Sequence, residues 1–299
     1  MAKSACETNT KLAQLFILLR PHHYIKNLIV LAPLFFSQTL LEPISLIYGV
    51  AAYLSFCLAA SSAYIFNDFK DKDFDKLHYT KKKRPLAAET VAPKIAIIAM
   101  TACSLGAGII AAFINYKCFL IITGYLVLNV AYSMGLKHFA IVDCVVITFF
   151  FLLRLFMGAT ATSTMLSNWI VVVTFLLAFF IALGKRRSDV MIYLASANKT
   201  RKSIDGYNLA FLDVTLPLMA SVVIVAYTMY TTSQEVVLRT GKDYLYVTAL
   251  FVVIGILRFL QRVYVYEDIL SPTAMLLKDH FLQLIIICWI CAFAWILYF

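Results

Sequence analysis

Long apolar stretches separated by short polar segments recur along the whole chain. A helix that crosses a bilayer needs about 20 largely apolar residues. Nine stretches approach that length, at 24–41, 44–66, 92–114, 118–135, 139–160, 166–184, 212–231, 244–262 and 281–299. The pattern therefore predicts an all-α polytopic membrane protein with about nine transmembrane helices and little room for a soluble domain.

Composition agrees with this prediction. Of the 299 residues, 62% are hydrophobic and 14% are charged, as expected of a membrane protein. The formal net charge is +10, but the basic residues are interleaved with the apolar stretches rather than gathered on one soluble face. Nucleic-acid binding is therefore not expected. The five histidines have no metal-site spacing.

The placement of lysine and arginine predicts the orientation, because cytoplasmic loops carry the positive excess. Most basic residues lie in four segments, at 1–26, 67–90, 185–211 and 262–280. With nine spans, the N-terminus is then cytoplasmic and the C-terminus is outside. We expect an integral protein of the bacterial inner membrane.

The segment NDFKDKDFDKLHYTKKKRP, at 67–85, contains the densest run of charge. On a helix, Asp68, Asp71 and Asp75 fall on one stripe with Asn67 beside it, while Asp73 points to the other side. Stacked like charges destabilise a helix unless they are neutralised. Carboxylate and amide oxygens suit Mg²⁺, which usually completes its shell with water and substrate phosphates. The pattern indicates a magnesium site for a phosphorylated substrate.

Cations follow these acids directly. Lys81 and Arg84, within the run KKKR, are suited to binding phosphate oxygens. The alternative is a solvated positive-inside loop whose acids are incidental. Acids seldom fall on one stripe at a membrane boundary by chance, so we favour a carboxylate, metal, diphosphate and cation assembly.

The pattern NDxxDxxxD followed by Arg84 and Pro85 resembles the first signature of the UbiA-type intramembrane prenyltransferase superfamily. This resemblance implies a single domain over 1–299, with helices bundled around a central cavity that opens laterally to lipid. It also implies that Mg²⁺ holds a diphosphate at the cytoplasmic mouth, with an active site carried by cytoplasmic loops at about 67–91 and 185–211.

The chain departs from the aromatic prenyltransferases of that superfamily at their second acidic motif, DxxxD. The corresponding segment reads LGKRRSD, and it places Lys185, Arg186 and Asp189 on one helical face. Further segments resemble the decaprenyl-phosphate phosphoribosyltransferase branch: RPHHYIKN with Lys26, YSMGLKH with Tyr132 and Lys137, LLR with Arg154, SNW, and GKRRSD. A phosphoribosyl donor and a lipid phosphate acceptor bring more phosphate, which fits the additional cations.

Within this resemblance the chain is expected to transfer 5-phosphoribose from phosphoribosyl diphosphate to a polyprenyl phosphate, with release of pyrophosphate, for cell-envelope glycan precursors. Asp68, Asp71 and Asp75 would be catalytic, holding Mg²⁺ with Asn67. Lys26, Lys185 and Arg186 are candidates for the acceptor phosphate or the 5-phosphate. The oligomeric state and the isoprenoid length are not determined.

Two other functions remain open. One is prenyl transfer from a prenyl diphosphate to an aromatic acceptor. The other is transport of an anionic lipid or ion, which would be accompanied by broken spans in both halves of the chain.

Arg154 is a charged residue within a predicted span, which is costly and usually indicates a protein interior or a watery cavity. The alternative is that its side chain snorkels to the outer interface. Asp143, eleven residues earlier on nearly the same face, is too far along the helix axis to pair with it.

Overall fold

The computed structural model describes residues 13–77, 81–196, 202–268 and 272–299. Within these ranges the regular structure is helical, without strands. The α-helices are α1 (13–19), α2 (Ala32–Phe36), α3 (Pro43–Lys70), α4 (Lys72–Leu77), α5 (Pro93–Ile114), α6 (Tyr116–Met134), α7 (Val142–Ala161), α8 (Asn168–Ser196), α9 (Leu209–Thr232), α10 (Gln234–Thr240), α11 (Ala249–Tyr264), α12 (Pro272–Lys278) and α13 (His280–Tyr298). Short 3₁₀ helices lie at Pro21–Leu31, Lys81–Lys83, Leu136–His138, Lys202–Gly206 and Leu245–Thr248.

Eight helical segments in the described residues are long and apolar enough to cross a membrane. They correspond to the predicted spans from the second to the ninth. The prediction of an all-helical polytopic membrane protein is therefore confirmed. The first predicted span, 24–41, is not one continuous helix: it consists of a 3₁₀ helix that begins at Pro21, followed by the short α2.

This first segment, 21–36, runs antiparallel to α3. Near its start the hydroxyls of Tyr24 and Ser61 lie 2.8 Å apart. Near its end Leu34 lies against Gly49, where an added Cβ would approach the Leu34 side chain to 2.9 Å. At about 2 Å rise per 3₁₀ residue and about 1.5 Å per α residue, the segment extends about 30 Å, the thickness of a bilayer core. It therefore has the reach of a ninth crossing.

Local signals account for the helix starts. Proline occupies the first turn where its missing N–H is not needed, and short polar side chains accept hydrogen bonds from the first free N–H groups. The prolines are Pro43, Pro93 and Pro272, and the capping residues include Asn115, Asn208 and Asp279.

The chain forms two compact units. The first comprises Met1–Leu34, Thr39–Leu136 and Leu153–Thr164. In it α3 packs on α5, on α6 and on the first 3₁₀ helix. Small polar side chains join α3 to α5: Ser55 donates to the carbonyl of Ala107 at 2.8 Å, and the hydroxyls of Ser62 and Ser104 lie 2.6 Å apart. Such residues let helices approach closely where no water is available.

The second unit comprises Phe35–Gln38, Lys137–Leu152 and Met165–Phe299. Helices α8, α9 and α11 pack around a core that includes Phe180, Leu183, Leu212 and Phe259, and α13 packs on α11. A second apolar cluster surrounds Tyr227, whose hydroxyl accepts from the indole N–H of Trp289 at 2.7 Å.

Large apolar side chains also cover the outer faces of the spans. Ile98, Leu105 and Phe113 of α5 are 68%, 61% and 85% exposed, and Val214 of α9 is 71% exposed. In water this much apolar surface would drive association. Here it is the surface that a lipid bilayer would cover.

A close helix crossing in the first unit depends on Gly158 of α7. An added Cβ would lie 1.8 Å from the backbone oxygen of Val30. We expect Gly158→Ala to lower stability by about 1–3 kcal/mol, because a backbone atom cannot move aside easily. The measurement is the temperature at which the detergent-solubilised monodisperse protein is lost on heating. Gly124→Ala is the matched control, since no atom lies within 4 Å of its added Cβ. Equal behaviour of the two variants would contradict this account.

Candidate functional site

The acidic segment lies at the junction of α3 and α4, where the structure differs from the single helix expected over 67–75. Helix α3 ends at Lys70, and Asp71 adopts a turn conformation with φ −94° and ψ 5°. The backbone bonds nevertheless continue, from Asp71 N–H to Asn67 and from Asp75 N–H to Asp71, at 2.9 and 2.8 Å. Like charges stacked on one stripe disfavour a regular helix, and the irregular residue lies in the middle of them.

Two of the three aspartates meet at a shared arginine. Arg84 Nη1 lies 3.0 Å from Asp68 Oδ1 and 2.6 Å from Asp75 Oδ2. Asp68 is also bound by Arg20, whose Nη2 lies 2.5 and 2.7 Å from the two carboxylate oxygens. Asp68 is 1% exposed, so its charge depends on these guanidinium groups. We call Arg20, Asp68, Asp75 and Arg84 the Asp68 cluster.

The loop after the lysine run holds Arg84 in place. The carbonyl of Arg84 accepts from the N–H of Ala88 at 2.8 Å, which closes a compact turn. Leu86 and Val91 of the same loop are buried and pack with Leu18, Ile65 and Ala96. Arg84 therefore stands on a small hydrophobic core that also includes the helix bearing Asp68.

An exposed contact ties this loop to α4. Lys76 Nζ donates to Glu89 Oε1 at 2.6 Å. This hydrogen bond, together with the charge of Lys72, lowers the pKa of Glu89 below its usual value. The acidic segment and the Arg84 loop are thus linked on both their buried and their exposed sides.

The other residues predicted for this segment differ in their burial and in their hydrogen-bond partners. Asn67 accepts a hydrogen bond from Ser133 of α6 at 3.2 Å, and Asp71 is half-buried. Asp73 is exposed, as its expected position on the opposite side requires. The side chain of Lys81 lies outside the described residues.

The donor set of the Asp68 cluster suits Mg²⁺, because it consists of carboxylate oxygens with the Asn67 amide nearby. Within the described ranges, however, no three or more His, Cys, Asp and Glu side chains are grouped so as to hold a metal ion. Two carboxylates, Asp68 and Asp75, do converge. Magnesium commonly uses one or two carboxylates and completes its shell with water and phosphate oxygens. The residues therefore fit a metal that arrives with a phosphorylated substrate, and metal binding by the three aspartates stays a prediction.

The second unit contains its own buried ion pair. Asp143 and Arg186 are both fully buried, with Arg186 Nε 2.7 Å from Asp143 Oδ2. Arg186 Nη1 also lies 2.5 Å from Asp189 Oδ2. Arg186 thus pairs with two acids, and a role in binding phosphate remains a prediction.

Two further side chains complete the environment of Asp143. Ser203 and Tyr207 donate to its two oxygens at 3.2 and 2.7 Å. Burial, followed by the neighbouring Cys144, raises the pKa of the Tyr207 hydroxyl well above its usual value, so this hydroxyl stays protonated and donates. We call Asp143, Arg186, Asp189, Ser203 and Tyr207 the Asp143 cluster.

Other predicted cations lie nearby in the chain. Lys185 of α8 is half-buried, whereas Lys137 of the 3₁₀ helix Leu136–His138 is 8% exposed. Arg187 was not a candidate; its Nε lies 2.6 Å from Asp213 and its guanidinium carbon 4.9 Å from the centre of the Tyr264 ring. Arg187 therefore links α8 to α9 and α11, which is a structural role.

Arg154 lies in the interior of the first unit. It is 4% exposed, its Nε donates to Asn27 at 2.7 Å, and its guanidinium carbon lies 4.8 Å from the centre of the Phe56 ring. The snorkelling alternative is therefore wrong. Lys26, next to Asn27, is half-buried, and so is Tyr132.

Sequence reasoning assigned no role to two residues that organise these sites. Arg20 belongs to RPHHYIKN, but it binds an aspartate 48 positions later, and no spacing rule links the two. Asp143 was considered only as a partner for Arg154, and its actual partner is on α8. The available signal for both was a charged residue at the edge of an apolar span.

Comparison with known proteins agrees with the fold. A sequence model of the UbiA prenyltransferase family matches residues 28–269. The decaprenyl-phosphate phosphoribosyltransferase of Mycolicibacterium smegmatis is 30% identical, with 94% of this chain and 91% of that protein covered. Its counterpart in Corynebacterium glutamicum is 29% identical, with coverage of 91% and 83%.

A solved structure gives the same architecture. The UbiA homolog from Archaeoglobus fulgidus bound to GPP and Mg²⁺ superposes with a TM-score of 0.71 at 20% identity, covering 93% of this chain and 96% of the other. The family match spans most of the chain, and the helical membrane fold agrees with it. The protein is an integral-membrane transferase that belongs to the UbiA prenyltransferase family.

Proposed function

We propose that this protein transfers 5-phosphoribose from phosphoribosyl diphosphate to a polyprenyl phosphate and releases pyrophosphate, supplying a lipid-linked pentose for cell-envelope glycans. The observation that carries this proposal is the similarity, over 94% of this chain and 91% of the relative, to a decaprenyl-phosphate phosphoribosyltransferase. Lys185, a half-buried cation in the segment where the aromatic prenyltransferases have acids, supports the same substrates.

The Asp68 cluster is assigned to the diphosphate end of the donor. The bond between C1 of the ribose and the diphosphate oxygen breaks, and its electron pair leaves with pyrophosphate. A phosphate oxygen of the lipid acceptor forms the new bond to C1. Arg84 is placed to stabilise the charge that builds on the departing group, since a guanidinium fork matches phosphate oxygens.

Asp68, Asp71 and Asp75, with Asn67, are the residues that would hold Mg²⁺. When bound, the metal would neutralise charge on the leaving diphosphate. The acceptor phosphate is already anionic at neutral pH, so no strong general base is needed. Asp68 and Asp75 therefore act by binding and orientation rather than by removing a proton.

The remaining phosphates require other cations. In the first unit Lys26 is a candidate, and in the second unit Lys185 is one. Each would bind either the acceptor phosphate or the 5-phosphate. Arg186 is less accessible than Lys185, because it is 0% exposed and paired with two acids. We assign Arg186 chiefly to holding the α8 segment in place.

We further propose that 1–299 is a single membrane domain of the bacterial inner membrane, with the loops at 67–91 and 185–211 in the cytosol. The Arg20–Asp68 contact places residue 20 at the same end of α3 as the acidic segment. Segment 21–36 then crosses to the other side before α3 returns. This topology supports a cytoplasmic N-terminus and, with nine crossings, an external C-terminus.

The test is a radiolabel transfer assay with purified protein in detergent and Mg²⁺. One reaction contains phosphoribosyl diphosphate with polyprenyl phosphate, and the other contains prenyl diphosphate with 4-hydroxybenzoate. We expect label from the ribose donor to enter the lipid phase. Label in the aromatic product instead would overturn the proposal in favour of aromatic prenyl transfer.

Asp71→Asn tests the metal assignment. We expect it to abolish Mg²⁺-dependent transfer while the protein stays folded, because the amide keeps the shape but loses the charge that a cation needs. Asp73→Asn makes the same charge change on an exposed side chain and should retain activity. Retained transfer in Asp71→Asn would remove Asp71 from the metal site.

Lys185→Ala and Arg186→Ala should have different effects, the first on substrate affinity and the second on stability. Removing Arg186 leaves Asp143 buried without its cation, which costs about 3–5 kcal/mol of stability. Removing half-buried Lys185 should raise the KM of one phosphate substrate while stability and Mg²⁺ dependence are kept. Thermal unfolding and KM values for both substrates distinguish the two effects. An unchanged KM for both substrates would exclude Lys185 from phosphate binding.

A further inference from the structure

The Arg20–Asp68 pair occupies the position where the proposed function requires a metal. Arg20 Nη2 lies within 2.7 Å of both oxygens of Asp68, and Arg84 takes a further position on Oδ1 at 3.0 Å. The carboxylate therefore offers few directions from which a metal could coordinate it while Arg20 remains bound.

Arg20 lies at a corner of the backbone. Arg20 adopts a left-handed conformation with φ 55° and ψ 54°, which is uncommon for a residue with a side chain and more so before a proline. Its N–H donates to Ile17 and its carbonyl accepts from His23, so it forms the corner between α1 and the first 3₁₀ helix. Strained conformations of this kind are retained where surrounding structure or function requires them.

The charge of the two arginines disfavours binding of a metal that enters without a diphosphate. The Asp68 cluster contains two carboxylates and two guanidinium groups, so its formal charge sums to zero. With half-buried Asp71, the third proposed ligand, the formal charge around a metal would be −1 rather than the −3 of the three carboxylates alone. A divalent cation that entered alone would face two arginines within a few ångströms. At such distances, away from bulk water, like charges repel strongly. A metal that arrives with a diphosphate brings the anions that Arg20 can bind once it is displaced from Asp68.

We propose that Arg20 occupies Asp68 when no metal is bound and moves from Asp68 to the diphosphate when metal and donor bind together. This inference rests on the proposed function, because it assumes that Asp68 binds the metal. Its consequence is that metal alone binds weakly and that metal and diphosphate bind cooperatively. The cooperativity is a coupling free energy, and it is reciprocal between the two ligands.

Both arginines of the Asp68 cluster are accessible to a ligand. The side chains of Arg20 and Arg84 are 15% and 24% exposed, whereas Arg186 in the Asp143 cluster is 0% exposed. Arg20 also lies over the ring of Tyr64, with its guanidinium carbon 5.4 Å from the ring centre, and this aromatic face can support the cation when it leaves the carboxylate.

The experiment measures binding of Mn²⁺, as a spectroscopic substitute for Mg²⁺, to purified protein without any phosphate compound. We expect Arg20→Gln to bind Mn²⁺ about ten-fold more tightly than the unmodified protein, because Arg20 no longer covers both oxygens of Asp68 and only the Arg84 contact remains. At saturating Mg²⁺, the same variant should bind inorganic pyrophosphate more weakly. A purely structural role for Arg20 would not change the two affinities in opposite directions.

Arg258→Gln is the matched control. It removes an arginine that pairs with buried Asp279 at 2.9 Å elsewhere in the chain, and it should leave Mn²⁺ affinity unchanged. If Arg20→Gln fails to fold, Arg20→Lys serves instead. It keeps the charge but loses the planar fork, and it should show a smaller gain in the same direction.

The outcomes separate this inference from the proposed function. Equal or weaker Mn²⁺ binding in the Arg20 variant, at a site that Asp68→Asn removes, would overturn the exchange and leave the metal site intact. If Asp68→Asn changes Mn²⁺ binding in neither background, the metal assignment fails and the exchange fails with it.

Discussion

A carboxylate buried at the end of an apolar helix needs a cation, and in the first unit two arginines from distant parts of the chain meet this need. Asp68 is 1% exposed at the end of α3. Its partners come from two other parts of the chain, Arg20 before the first crossing and Arg84 after the lysine run. Removing either partner would leave charge in a medium that solvates it poorly. The single aspartate therefore fixes three chain segments at one end of α3.

In the second unit the buried carboxylate is Asp143, and it is also paired with an arginine, but this arginine is not exposed. Asp143 receives a guanidinium, two hydroxyls and a backbone N–H, so its capacity to accept hydrogen bonds is largely filled from within the chain. Such a satisfied network stabilises a specific arrangement of α7, α8 and the segment before α9. In the Asp68 cluster the arginines are partly exposed, so the same type of pairing stays accessible to a ligand.

Packing of the spans follows from the absence of water. Between α3 and α5 the contacts include serine hydroxyls and the small residue Ala107. At the crossing of α7 with the first 3₁₀ helix, Gly158 lets the backbone of Val30 approach closely. Large apolar side chains are left on the outside, where lipid replaces protein. At these two contacts small residues rather than leucines set how closely the helices approach, while the outer faces are apolar, unlike those of a soluble helical protein.

The sequence by itself determined the membrane class, eight of the spans, and the acidic segment with its family. Seven of these spans agree with the helical segments to within four residues at each end, whereas α8 continues to Ser196 rather than ending at 184. These features depend on the length of apolar runs and on motifs whose members are close together in the chain, so local reading is sufficient. The family resemblance carried by the same motifs also indicates the functional hypothesis.

Only the tertiary structure decided which charges meet. Arg20 binds Asp68 across 48 positions and Arg154 binds Asn27 across 127, and neither distance has a periodicity that could be read from the chain. The first span is largely a 3₁₀ helix, and the helix carrying the acidic stripe is irregular at Asp71. Arg186 is buried between two acids. Each of these outcomes depends on how helices pack, because a buried charge takes the partner that packing brings within reach.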